Sequence, residues 1–127
     1  MSKHGMVVFA KDVKALAKFY EDALAASVSE SAASHIVLQT ADIELVIHNI
    51  PKSVAKNIVI EDPPVQRATV AIKPALVVDS LQRVRTACEQ HGGWLKPQAK
   101  AWKIRGLIVL DGCDPEGNVL QFKQEEQ

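Results

Sequence analysis

Two strand-to-helix openings recur at one fixed spacing in this sequence, and that spacing limits the possible folds more than any other feature. Residues 6–10 form a short, valine-rich apolar run ending at Lys11-Asp12, which suits a buried strand. From Val13 the period changes: Val13, Leu16, Ala17, Tyr20, Ala23 and Leu24 follow the spacing of a helix with one buried face, and Asp12 is placed to be its N-cap. The same pattern returns at residues 75–78. Asp79-Ser80 then caps a helix whose stripe is Leu81, Val84, Ala87 and Cys88, with Gln82 placed to close a capping box with Asp79. Asp12 pairs with Ser80, Leu16 with Val84 and Tyr20 with Cys88, a constant offset of 68. Duplication predicts such an offset, because one unit of this size cannot cover its own sheet and two can.

The remaining segments fill out each unit. Residues 35–40 and 43–48 alternate as two strands of a hairpin about the Ala41-Asp42 turn, and residues 28–31 supply a weaker strand. Along 43–48 the odd positions are aliphatic, so Glu44, Val46 and His48 face the opposite side of the sheet, toward a cleft. Residues 51–74 carry Pro51, Pro63, Pro64 and Pro74 and hold the linker, with only 57–60 strand-like. Gly92-Gly93 ends the second helix as a left-handed cap. Residues 94–95, 100–104, 107–110 and 119–123 read as four more strands, the last two joined by Asp114-Pro115-Glu116-Gly117-Asn118.

Composition narrows the function classes. The chain has 127 residues, 47% of them hydrophobic, a size at which one domain buries a core without staples. Lys plus Arg and Asp plus Glu number 15 each and no like-charge block occurs, which argues against nucleic acid and membrane surfaces as partners. No apolar run approaches the roughly 18 residues of a membrane span, and no charged-then-apolar leader opens the chain, so a cytoplasmic location is expected. Cys88 and Cys113 lack a C-x-x-C spacing and read as free thiols. Nucleophile-elbow, Walker, dinucleotide and H-E-x-x-H motifs are absent from the sequence.

Lys11-Asp12-Val13 followed by Phe19-Tyr20-Glu21-Asp22-Ala23-Leu24 resembles the K-D-x…F-Y-x-x-x-L opening of vicinal oxygen chelate modules, the glyoxalase/bleomycin resistance/extradiol dioxygenase group. Asp114-Pro115-Glu116-Gly117-Asn118 is similar to their closing D-P-x-G-N turn. The resemblance spans residues 6–124 apart from the linker. It implies an α+β fold: two tandem β-α-β-β-β modules forming a curled, cup-shaped mixed sheet, within a single domain over residues 1–127. Module one is expected at about 4–50, the linker at 51–70 and module two at 71–124. Members of this size are commonly homodimers, and an open eight-stranded sheet leaves edges and a concave face that a second copy would cover.

The resemblance also implies divalent-metal ligands of the His, Glu or Gln type on the first and last strands of each module, and the residues at those places argue against them. The first-strand position is Gly5, and the offset puts Lys73 in its place in module two. Glycine has no ligand atom, and an ammonium repels a cation. Gln121 stands at the last-strand position, with Val46 or Glu44 as its module-one counterpart. At most two ligands remain where three or more are normal, so no metal and no cofactor are expected. His4 enters this set only through a strand bulge, since a one-residue shift otherwise aims it away.

The candidate ligand-binding residues are His48, Glu44, Lys73, Trp102, Gln121 and Phe9. His48 ends its strand on the cleft side, where an imidazole takes a proton or bonds a ligand, and Glu44 shares that face; alternatively both are simply solvated. Trp102, flanked by Lys100, Lys103 and Arg105, either stacks on a flat ligand or closes a dimer seam. Lys73 either anchors an anion or extends outward from an edge strand. Phe9 shares the parity of Gly5 and Val7 and makes the wall apolar. Neither His35 nor His91 has a partner pattern. The sequence thus points to a protein binding a small organic ligand in a cleft without a metal. The alternative is a metal-dependent glyoxalase-like lyase or isomerase with His48 or Glu44 as base.

Overall fold

The computed structural model describes residues 3–127. Its first half runs β1 (Gly5–Ala10), α1 (Val13–Leu24), β2 (Ser27–Ser31), β3 (His35–Gln39) and β4 (Glu44–Asn49). A short helix, α2 (Lys52–Ala55), opens the linker. The second half runs β5 (Ala75–Val77), α3 (Leu81–His91), β6 (Trp94–Leu95), β7 (Trp102–Ile104), β8 (Leu107–Cys113) and β9 (Val119–Glu125). Both sheets are mixed: β1 lies parallel to β4 and β5 parallel to β9, while the hairpin partners run antiparallel.

The duplicated openings are matched in local structure. The Asp12 carboxylate accepts from the Ala15 amide at 3.1 Å, and the Ser80 hydroxyl accepts from the Arg83 amide at 3.2 Å, so each N-cap satisfies a donor three residues on. Ser80 alone is therefore the cap, and the Asp79–Gln82 box is not formed. Each helix lays its stripe on its own sheet: Leu16, Phe19, Tyr20 and Leu24 from α1, and Leu81, Val84 and Ala87 from α3, are buried against Leu45, Ile47, Leu110 and Phe122. Full burial of each large apolar side chain contributes about 1.5–3 kcal/mol. The helices also pack on each other, which fuses the two halves into one core.

Several expectations are corrected. Residues 57–60 form no strand, and the linker's regular element is the unanticipated α2, whose first turn follows Pro51. A 3-10 turn over Gln98–Lys100 takes the start of the strand expected at residue 100, and Trp102 begins β7. Gly92 has φ 84° but an extended ψ of 167°, so α3 ends through positive-φ glycine without the left-handed cap; that cap occurs at Ala25, after α1. The expected pair of modules is present as a four-stranded sheet, β1-β4-β3-β2, and a five-stranded one, β5-β9-β8-β6 with β7 also on β8. No helix among the described residues is long and apolar enough to cross a membrane.

The halves are also clasped by the Asp114–Asn118 turn. Asp114 is fully buried; its carboxylate accepts from the Tyr20 hydroxyl at 2.6 Å, from the amides of Glu116 and Asn118, and from the Asn118 side-chain amide at 2.8 Å. Glu116, also buried, accepts from the amides of Lys11 and Asp12 at 2.8 and 2.9 Å, neutralising the positive end of α1. Burial pushes Asp114 above the usual carboxylate range, against the pull of those hydrogen bonds. Burial and the Asp114 charge drive Tyr20 well above the ordinary phenol range.

Tyr20→Phe leaves one Asp114 oxygen short of a donor and is expected to lower stability by about 1–3 kcal/mol in urea unfolding. Alkaline pH tests the same core. Burial raises Cys88 to about 12 and holds Tyr20 protonated, so above pH 9 the unfolded chain releases protons that the folded chain keeps. Stability must then fall as pH rises from 9 toward 12, and the double variant Cys88→Ala, Tyr20→Phe should show a flatter profile in that window.

Candidate functional site

Strand alternation gives each sheet one face on its helix and one open face. On β1, Met6, Val8 and Ala10 turn to the core, while Val7 and Phe9 are 55% and 59% exposed. On β4, Leu45 and Ile47 are buried, so Glu44, Val46 and His48 share the open face. The register sets three cross-strand rows there. Phe9 pairs with His48 and His48 with His35; Val7 pairs with Val46 and Val46 with Val37; Gly5 pairs with Glu44 and Glu44 with Gln39.

The first row is a run of rings. Phe9 meets His48 edge-on with centroids 6.0 Å apart, and His48 stacks on His35 at 5.9 Å with planes 5° apart. His35 uses both nitrogens, one against Glu30 at 2.5 Å and one against the Ser34 hydroxyl at 2.9 Å. Nδ1 of His48 lies 2.9 Å from the Asn49 carbonyl and donates to it, so in the neutral ring Nε2 is the acceptor. His35 therefore does have partners: the adjacent Ser34, Glu30 across the β2–β3 hairpin, and the His48 ring through the β3–β4 pairing. His91 likewise has one across the helix seam, the Asp22 carboxylate at 2.6 Å.

On the second sheet the open face carries Ala75, Gln121 and Asp111 in one row and Val77, Lys123, Val109 and Trp102 in the next. Lys73, two residues before β5, reaches Asp111 at 3.1 Å, and the Gln121 amide donates to the other Asp111 oxygen at 3.3 Å. Lys73 is thus an ion-paired cation, neither free nor directed away. Asp111 was not anticipated; its parity with Gln121 across the β8–β9 hairpin is the signal that finds it. Of the six sequence-derived residues, Phe9, Glu44 and His48 share one open face, and Lys73, Gln121 and Trp102 share the other.

The register also identifies the residues at the metal positions that the resemblance implies. Gln121 pairs with Ala75, whose 68-offset counterpart is Val7, and Val7 pairs with Val46. The counterpart of Gln121 is therefore Val46, and the four metal positions are Gly5, Val46, Lys73 and Gln121. Only Gln121 offers an oxygen, and Lys73 brings a charge of the wrong sign, so these residues do not fit a divalent cation. Gly5 answers to another constraint, since a Cβ there would lie 2.2 Å from the Glu44 carbonyl oxygen. The His4 side chain is exposed and its carbonyl accepts from the Glu44 amide at 3.1 Å, which continues the β1–β4 ladder without a bulge. Among the described residues, no three His, Cys, Asp or Glu side chains are grouped to hold a metal ion.

The sequence matches no family model and no curated protein. The fold, however, is shared with solved structures. A glyoxalase/bleomycin resistance protein/dioxygenase family enzyme from Burkholderia phytofirmans is 13% identical with a TM-score of 0.69, covering 98% of this chain and 99% of its own. A glyoxalase/bleomycin resistance protein/dioxygenase from Alicyclobacillus acidocaldarius is 14% identical with a TM-score of 0.62, covering 99% and 92%. A bleomycin-binding protein complexed with bleomycin is 19% identical with a TM-score of 0.60, covering 99% of each chain. The chain therefore has the glyoxalase/bleomycin-resistance fold, consistent with the vicinal oxygen chelate superfamily that its two motifs resemble.

Gly5→Ala is expected to force β1 off β4 and to cost about 1–3 kcal/mol in chemical unfolding, whatever ligand is present. An unchanged midpoint would show that the strand approach is not what requires glycine.

Proposed function

We propose that this protein binds a small organic molecule on the open sheet faces, without a metal, and that a second copy of the chain covers those faces. Phe9, His48 and Glu44 on the first sheet and Lys73, Gln121 and Trp102 on the second are the contact groups in this reading. The observation that carries it is the ring row: Phe9 set edge-on to His48 and His48 stacked on His35 form a partly exposed aromatic surface at one end of a valine strip, with Glu44 at the other. Such a face suits an aromatic or heterocyclic body with polar ends. Exposure of Val28, Val77, Trp94, Trp102 and Ile104 supports coverage by a second copy. One domain over the whole chain and a cytoplasmic location complete the proposal.

One observation favours a second reading. With Nδ1 donating to the Asn49 carbonyl, the neutral His48 ring presents Nε2 as a base, as a lyase or isomerase acting through His48 or Glu44 would need. The metal that such enzymes use lacks a donor set here, so His48 is the part of that reading with support.

Bleomycin, the ligand of one fold neighbour, is a first probe for titration calorimetry. In the binding reading, His48→Ala weakens a bound aromatic ligand by about tenfold or less and leaves some binding. Abolished turnover of a substrate by the same variant would instead favour the enzyme. Elemental analysis should find less than one divalent ion per chain after dialysis; a stoichiometric, tightly held ion would overturn the metal-free assignment. Sedimentation equilibrium is expected to give a dimer, and a monomer at all concentrations would remove the covering copy.

A further inference from the structure

A cleft of about 550 Å³, bordering the open face at Phe9, lies where the linker crosses between β1 and the start of β9, within the size range of small-molecule sites. Its walls are apolar, with Phe9 from β1, Ile58, Val70 and Ile72 from the linker, and Val119 from β9. Only one lining side chain is charged, Arg67. The polar groups nearby are committed elsewhere: the Tyr20 hydroxyl and the Asn118 amide both donate to Asp114. Arg67 takes part in none of the six ion pairs among the described residues, and its side chain donates none of their hydrogen bonds. The linker that carries it is fixed over the cleft at three points. The Arg67 amide donates to the Gly117 carbonyl at 3.0 Å, the Gln121 amide donates to the Pro74 carbonyl at 2.8 Å, and the Lys11 ammonium donates to the Ile58 carbonyl.

We infer that this cleft is a binding site for an amphiphilic organic anion, its apolar body against Phe9, Val70, Ile72 and Val119 and its carboxylate, or an equivalent acid group, on Arg67. An open apolar cleft whose one charged lining residue is an unpaired, exposed arginine is complementary to such a ligand in polarity and charge. A neutral ligand leaves that cation without a partner, and a cationic one meets repulsion. The site shares Phe9 with the sheet-face reading and differs from it in Arg67, Val70 and Ile72, which belong to neither open face.

Decanoate, decanol and decylammonium, used below their micelle concentrations, test the inference by calorimetry on the full chain. Decanoate is expected to bind at least about tenfold more tightly than decanol, and Arg67→Gln should remove that difference while leaving decanol unchanged. Arg67→Glu should reject decanoate and take decylammonium in its place. Unfolding midpoints like that of the wild type would show that both variants fold, as expected for a side chain with no internal bond. Equal affinity for decanoate and decanol, or decanoate binding lost in His48→Ala but kept in Arg67→Gln, would overturn the site. So would loss of the cleft to a second copy, seen as dimerisation that Ile72→Glu abolishes and decanoate does not compete with. Bleomycin binding that depends on His48 and not on Arg67 would leave the sheet-face reading standing while this one is judged by the decyl series alone.

Discussion

The Asp114 carboxylate is the point on which the two halves depend. It is fully buried, yet it organises its own turn through two amides and one side chain and holds Tyr20 of the opposite half. A buried carboxylate is costly unless its lone pairs are satisfied, and here four donors satisfy them. Glu116, two residues on, closes the N-terminus of α1. The helix of the first half therefore keeps its own cap, Asp12, and takes from the second half the acceptor for the amides just before it and the partner of its Tyr20 hydroxyl. Gly117 belongs to the same arrangement: its φ is 82°, and a Cβ there would meet the Val65 carbonyl at 2.4 Å, so the linker rests directly on the turn.

How much of this was legible in the sequence differs by element. The N-caps, the two helical stripes and the inward parity of Leu45 and Ile47 follow from local chemistry and were readable at once. The duplication at an offset of 68 carried over to structure, with Asp12 and Ser80 in equivalent cap roles. What failed was the linker, where propensity is weak and tertiary contact decides: α2, the absence of a strand at 57–60, and the roof over β1 all depend on partners far away in sequence.

The candidate residues show the same division. Side-chain direction was readable from period-two alternation, so Phe9, Glu44 and His48 were grouped correctly on one face. Partnerships were not. That Lys73 is neutralised by Asp111, that His35 stacks on His48, and that the counterpart of Gln121 is Val46 depend on strand register, which alternation alone leaves open by two residues. Arg67 was invisible for the opposite reason: nothing in a proline-rich stretch marks one cation as the charge that ends up in an apolar cleft.

The clasp joins Tyr20 to Asp114 and the α1 amides to Glu116 across 94 to 105 positions of chain. During synthesis the Lys11 and Asp12 amides and the Tyr20 hydroxyl must therefore leave the ribosome without these partners, and they wait for the Asp114–Asn118 turn to be made. Contacts of such long separation form late in a folding reaction. The N-terminal half is thus the part that a chaperone would meet unfinished, and the Asp114–Asn118 turn is the segment that completes it.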